Sequence, residues 1–157
     1  MSNTLTKKDI LHSALGGGIC FLGTLFLSSL VNLLIQRMLM ALGILTVAVF
    51  ENFVIAKSAM AFALIYLISG FLGGLYTGYS VENNMKITLS ITGGIGFIGF
   101  MVMLIFYGEL NLNMNYFEMI ILPLLGDLIG AYLGGYTIRW PSESEEEVEE
   151  ISLNLEQ

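Results

Sequence analysis

Apolar residues fill most of this chain in long stretches, and polar residues mark where the stretches end. A helix needs about 20 apolar residues to cross the hydrocarbon of a bilayer. Four runs reach that length, at about 10–35, 59–81, 87–107 and 119–138. Lys7, Lys8 and Asp9 precede the first, and Gln36 and Arg37 follow it. Glu82, Asn83 and Asn84 separate the second from the third, Glu109 to Asn115 the third from the fourth, and Arg139 closes the fourth. The first run exceeds the 7–15 apolar residues of a signal-peptide core, so it reads as a retained membrane helix. A fifth run, Met38–Phe50, has only 13 residues. It reads as a re-entrant segment, an interfacial segment or a helix extension in the first outer loop. The expected fold is all-α: a polytopic membrane bundle with four transmembrane helices, a domain over 1–140 and an acidic, disordered tail over 141–157.

Composition supports the pattern. Of 157 residues, 55% are hydrophobic and 12% charged, and mean hydropathy is +0.79. Soluble domains carry about 25% charged residues, so an ordinary soluble protein is excluded. Six Lys and Arg against 13 acids, a net charge of -7, exclude a nucleic-acid binder. The charge is local. Glu143, Glu145, Glu146, Glu147, Glu149, Glu150 and Glu156 all follow Pro141, and the remaining acids equal the bases in number. The single cysteine, Cys20, excludes a disulfide scaffold. With four spans, Lys7, Lys8, Lys86 and Arg139 fall on one side, and Arg37 and Lys57 on the other. The bias of basic residues toward the cytoplasm places both termini there.

The chain repeats itself. Gly17–Gly23 (GGICFLG) matches Gly93–Gly99 (GGIGFIG) at an offset of 76. Gly70, Gly74, Tyr76 and Gly78 match Gly126, Gly130, Tyr132 and Gly134 at an offset of 56. The first span thus corresponds to the third and the second to the fourth, as two related hairpins in parallel orientation. The glycines at every fourth position form a smooth stripe on each of the second and fourth helices. Lipid is as apolar as leucine, so close backbone approach takes over much of the work of holding helices together. These stripes are the expected packing seams, within one chain or between chains.

Several residues invite chemical readings. Gly94, Gly96 and Gly99 fit the dinucleotide-binding pattern, but the pattern lies inside an apolar span without the strand and aqueous phosphate site it requires. It reads as packing glycine. His12, the sole histidine, lies at the inner end of the first span and reads as interfacial. Lys57 is expected to snorkel, and Trp140 to anchor at the interface. Leu104 is taken as lipid-facing. Asp127 stands out, about midway along the fourth span, where an ionised carboxylate is costly and acids face a partner or a cavity. At matching depth Thr24 and Ser69 are its expected hydrogen-bond partners, and Asn32, Thr88 and Thr92 are the other polar residues available to line a path. Asp127 reads as a neutral, hydrogen-bonded registry residue, as an ion-linked site, or as a contact with another subunit.

No nucleophile–base set and no metal-ligand cluster exist, so neither an enzyme nor a cofactor or metal is expected. The partners expected are the lipid bilayer and either further copies of the chain or a larger membrane complex. The glycine runs of the hairpins, GGLYTGY and GAYLGGY, resemble a family of small four-span archaeal membrane proteins of unknown function, over about 10–140. That resemblance implies a membrane helix bundle and no chemistry. Met38–Phe50 and the acidic tail lie outside it. Together these readings give a non-catalytic membrane subunit or scaffold, with a small-solute or ion carrier using Asp127 as the alternative.

Overall fold

The computed structural model describes residues 5–41, 59–81, 84–106 and 116–155, with the backbone alone at 38–40, 118 and 139–155. All regular structure among them is helical. Helix α1 is Lys7–Ala41 and α2 is Ala59–Ser80. Helix α3 is Met85–Phe106, and α4 is Leu122–Leu155, entered through a π turn at Phe117–Ile121. Each contains a segment long and apolar enough to cross a membrane; the last of these is Met119–Ile138. The chain is a multi-pass, all-α membrane protein.

Local chemistry sets the ends. Thr6 Oγ1 accepts the Asp9 N–H at 3.1 Å, while the Asp9 carboxylate accepts the Thr6 N–H at 3.0 Å. This reciprocal cap starts α1 at Lys7, ahead of the apolar run. The α2–α3 connection passes through Asn84 in the left-handed region (φ 54), a conformation that asparagine adopts more readily than most side chains. The Asn84 carbonyl then accepts the N–H groups of Ile87 and Thr88 at 3.0 and 3.1 Å and opens α3.

The fifth apolar run divides. Its first residues, Met38 to Ala41, extend α1, and the rest lies outside the described residues, as do Glu51, Lys57 and Glu109. Helix α4 continues unbroken to Leu155, across the segment expected as a disordered tail. The span supplies a formed helix to extend, so the acidic segment bears no nucleation cost, and glutamate propagates helix well.

Helices α2 and α4 make the most extensive contact, and α1 and α3 pack against this pair and against each other. The reason is visible in the glycines. A Cβ added at Gly78 would lie 2.6 Å from the Gly135 oxygen and 2.7 Å from its Cα; one at Gly70 would lie 2.5 Å from the Asp127 oxygen. One at Gly74 would fall on the backbone of Ala131, and those at Gly130 and Gly134 on the carbonyls of Leu67 and Phe71. Gly126 meets the Cβ of Tyr66. All six stripe glycines therefore serve the α2–α4 seam inside one chain.

The outside is apolar. Leu22, Phe26, Ile98, Ile105 and Phe106 are exposed large hydrophobic residues, as lipid solvation requires. Leu104 is a correction to the lipid-facing expectation: it is 7% exposed and belongs to the core. Its neighbour Ile105 takes the lipid side. The stretch holding Gly94, Gly96 and Gly99 is the interior of α3, with no preceding strand among the described residues. Gly96 packs on Cys20 and Gly99 on Phe21, while Gly94 faces open space.

Candidate functional site: a carboxyl where four helices meet

Hydrocarbon offers a polar group no water, so every hydroxyl within it needs a protein partner. Many turn back onto their own helix. Ser29 Oγ donates to the Leu25 carbonyl at 3.0 Å and Thr137 Oγ1 to the Leu133 carbonyl at 2.7 Å. Bonds of this kind satisfy a hydroxyl on any helix face. Three groups of hydroxyls reach further and join helices.

The first surrounds Asp127, which is wholly buried. Met119–Ile138 puts it near the centre of its span. Ser69 Oγ on α2 donates to Asp127 Oδ1 at 3.3 Å, and Thr24 Oγ1 on α1 donates to Ser69 Oγ at 2.9 Å. The same hydroxyls also reach backbone carbonyls, Thr24 that of Cys20 at 3.1 Å and Ser69 that of Tyr66 at 3.0 Å. The other carboxyl oxygen, Oδ2, is buried without a hydrogen-bond partner. Cys20 Sγ and Asp127 Oδ2 both face Gly96, whose missing side chain makes the room they occupy. Gly93 of α3 packs on the Asp127 carbonyl. Residues of α1, α2 and α3 thus converge on one residue of α4. The structure brings Asp127, Ser69 and Thr24 together and adds Cys20.

Counting protons describes what this cluster can hold. Thr24 and Ser69 carry one hydroxyl proton each, yet four acceptors lie in reach: two backbone carbonyls, Ser69 Oγ and Asp127 Oδ1. With a third proton on the carboxyl, Asp127 donates to Ser69, Ser69 to the Tyr66 carbonyl and Thr24 to the Cys20 carbonyl. Every proton then has its own acceptor. Without it, a full charge sits in an apolar interior with one oxygen bare, a strongly unfavourable arrangement. The cluster has the acceptors to hold a third proton, on the carboxyl.

The second group lies about two helical turns further along, roughly 12 Å at 1.5 Å per residue. Thr77 of α2 and Thr92 of α3 share a hydrogen bond of 2.8 Å. Thr77 also donates to the Gly73 carbonyl at 3.1 Å, and Thr92 to the carbonyls of Thr88 at 3.0 Å and Ser13 at 3.3 Å. Ser13, Thr77 and Thr92 are fully buried. Backbone fills the interval between the groups, since a Cβ on Gly73 would lie 2.6 Å from the Gly16 oxygen and 3.0 Å from Cys20 Cβ.

A third set rims the end of the bundle at which α1 begins. His12 Nδ1 lies 3.2 Å from the Tyr76 hydroxyl. The Tyr132 hydroxyl lies 2.8 Å from Ser90 Oγ and donates to the Lys86 carbonyl at 2.9 Å. Of the other polar residues marked by sequence, Thr88 is buried and bonded to the Met85 carbonyl at 2.9 Å, whereas Asn32 is exposed on α1, away from the interior groups. Thr77 and Ser13 were not singled out by sequence. The available signal was Thr77 four residues after Gly73, a hydroxyl beside the glycine that lets α1 approach. Among the described residues no group of three His, Cys, Asp or Glu side chains could hold a metal. No family model, no curated protein and no solved structure matches this chain.

Proposed function

We propose that this membrane protein is a non-catalytic subunit or scaffold, built from two copies of one hairpin, with both termini in the cytoplasm. The observation that carries this reading is the α2–α4 seam. Backbone meets backbone along five of the six glycines, and the hydroxyl groups inside the bundle are engaged with one another or with carbonyls. Such an interior is suited to holding a fixed shape and poorly suited to passing a solute.

Three pairs of features support the duplication. The offset of 56 carries the π turn at Phe62–Tyr66 to within one residue of the π turn at Phe117–Ile121. The offset of 76 carries Gly18 onto Gly94, and both face open space. Tyr76 reaches His12 on α1, while its mate Tyr132 reaches Lys86 and Ser90 on α3, which flank the mate of His12, Thr88. The glycine stripes act as zippers on this reading, and the resemblance to small archaeal four-span proteins belongs with it.

Native mass analysis of the protein in mild detergent tests the assembly. A stoichiometric complex, with itself or with other membrane subunits, is the expected result; a monomer that carries a solute into sealed vesicles refutes it. The alternative, an ion or small-solute carrier, is favoured by the unpartnered Oδ2 of Asp127. Single cysteines at Ser144 and Asn113 in a Cys20→Ala background test the orientation: an impermeant thiol reagent on intact cells should label position 113 and spare 144.

A further inference from the structure

We propose that Asp127 is a proton-binding site in exchange with the aqueous phase, and that its proton keeps the four helices closed on one another. The inference goes beyond the subunit reading and holds equally for a carrier. Three observations carry it.

Asp127 is wholly buried, and its Oδ2 has no hydrogen-bond partner within bonding geometry, its polar neighbour being the weakly donating Cys20 thiol. A carboxyl serving only to register helices would be expected to have both oxygens engaged, since each unsatisfied buried acceptor weakens the fold. With the proton on Oδ1, toward Ser69, Oδ2 is a neutral carbonyl oxygen, which tolerates a weak partner far better than a carboxylate oxygen does. The surroundings also supply no fixed countercharge. Facing the carboxyl are the Cys20 thiol from α1 and the Tyr66 phenol from α2; α3 offers only Gly93 and Gly96. No cationic side chain faces it among the described residues. Charge on Asp127 is therefore balanced by a bound proton or not balanced at all. Finally, the oxygens of the cluster already lie 2.9–3.3 Å apart in hydrogen bonds. A proton enters that arrangement without moving an atom, whereas a metal cation would have to spread it.

The position gives the proton its consequence. Asp127 is the point where α1, α2 and α3 all touch α4. Loss of the proton leaves a charge that only water can solvate, and water reaches it only if the helices part. The closed bundle therefore holds the proton more tightly than the opened one, and by linkage its stability falls as pH rises.

A hydrophobic carbodiimide tests this, because it reacts with a protonated carboxyl in an apolar setting and leaves a covalent adduct. Wild-type protein in lipid vesicles is treated at about pH 5.5 and about pH 8.5, on either side of the neutral range, and the adduct is mapped by peptide mass. The expected result is an adduct on Asp127 that falls several-fold at the higher pH, equally in sodium and choline buffers. In parallel, the thermal midpoint of the wild type should drop between these pH values relative to Asp127→Asn. No adduct at either pH means the carboxyl never exchanges, and a pH-independent adduct means it stays neutral; either overturns the proposal. Protection by sodium overturns it in favour of a cation site. If Asp127→Asn does not fold, the wild-type labelling decides alone.

Discussion

Two seams hold this bundle, and they use different means. Between α2 and α4 the contact is backbone on backbone, with glycine at each crossing point. On the α1 side hydroxyl bonds are added to a shorter glycine approach at Gly16 and Gly73: Thr24 to Ser69, and the Thr77–Thr92 pair with the Ser13 carbonyl. In water either seam would be reinforced by burial of apolar area. In lipid that reinforcement is gone, and attraction must come from close approach or from hydrogen bonds. The two differ in what they forbid. The glycine seam forbids volume and is indifferent to charge. The hydroxyl seam accepts a replacement of the same shape and is sensitive to the number of protons it holds.

Substitutions that strike one seam and spare the other separate these properties. The largest effect is expected from Gly74→Leu, whose Cβ alone falls on the Ala131 backbone. Overpacking costs about 1–3 kcal/mol in soluble cores, and here neither backbone can yield as a side chain would. The measurement is the thermal midpoint in mild detergent; an unchanged midpoint would remove the glycine argument. Next comes Asp127→Leu, which deletes the bond to Ser69 and the carboxyl together. Membrane hydrogen bonds average about 0.6 kcal/mol, with a maximum near 1.7, and the loss should fall in that range. Asp127→Asn should stay near wild type at low pH, because the amide keeps the shape and a donor for Ser69. A larger loss for Asn than for Leu would contradict the neutral-acid reading.

Thr77→Val should cost less, about the average 0.6 kcal/mol, since Thr92 retains the Thr88 carbonyl as acceptor. If it costs as much as Gly74→Leu, the two seams are not distinct in kind. The least destabilising are Gly18→Ala and Gly94→Ala, which meet nothing within 4 Å. Neither should lose stability, and the better helix propensity of alanine can add up to about 1 kcal/mol. A clear loss at either would place a partner on that open face.

The spans were legible because a bilayer demands uninterrupted apolar length, and no other fold produces that pattern four times over. The Asp127, Ser69 and Thr24 cluster was legible by depth, since hydroxyls at one level in neighbouring helices have few other places to go. Helix rotation was not legible. Sequence alone did not put Cys20 beside the acid, and Leu104 was assigned to the lipid side that its neighbour Ile105 takes. All four helices are apolar nearly all round, so the amphipathic phase that fixes rotation in soluble helices is faint. The π turns were equally hidden, because a widened turn has no composition of its own. The continuation of α4 past Pro141 ran against the usual reading of proline as a stop.

The paired π turns carry a chronological consequence. Pro123 lies just beyond the second turn and withholds an N–H from the ladder, which is one known cause of local distortion. Its mate at the offset of 56 is Leu67, which has an N–H and donates it to the Phe62 carbonyl in the first turn. Proline therefore does not create the feature common to both helices. On the duplication proposed above, the most economical history widens the helix once, in an ancestral single hairpin, before the copying event. Pro123 is then a later arrival, tolerated because the turn it entered was already wide.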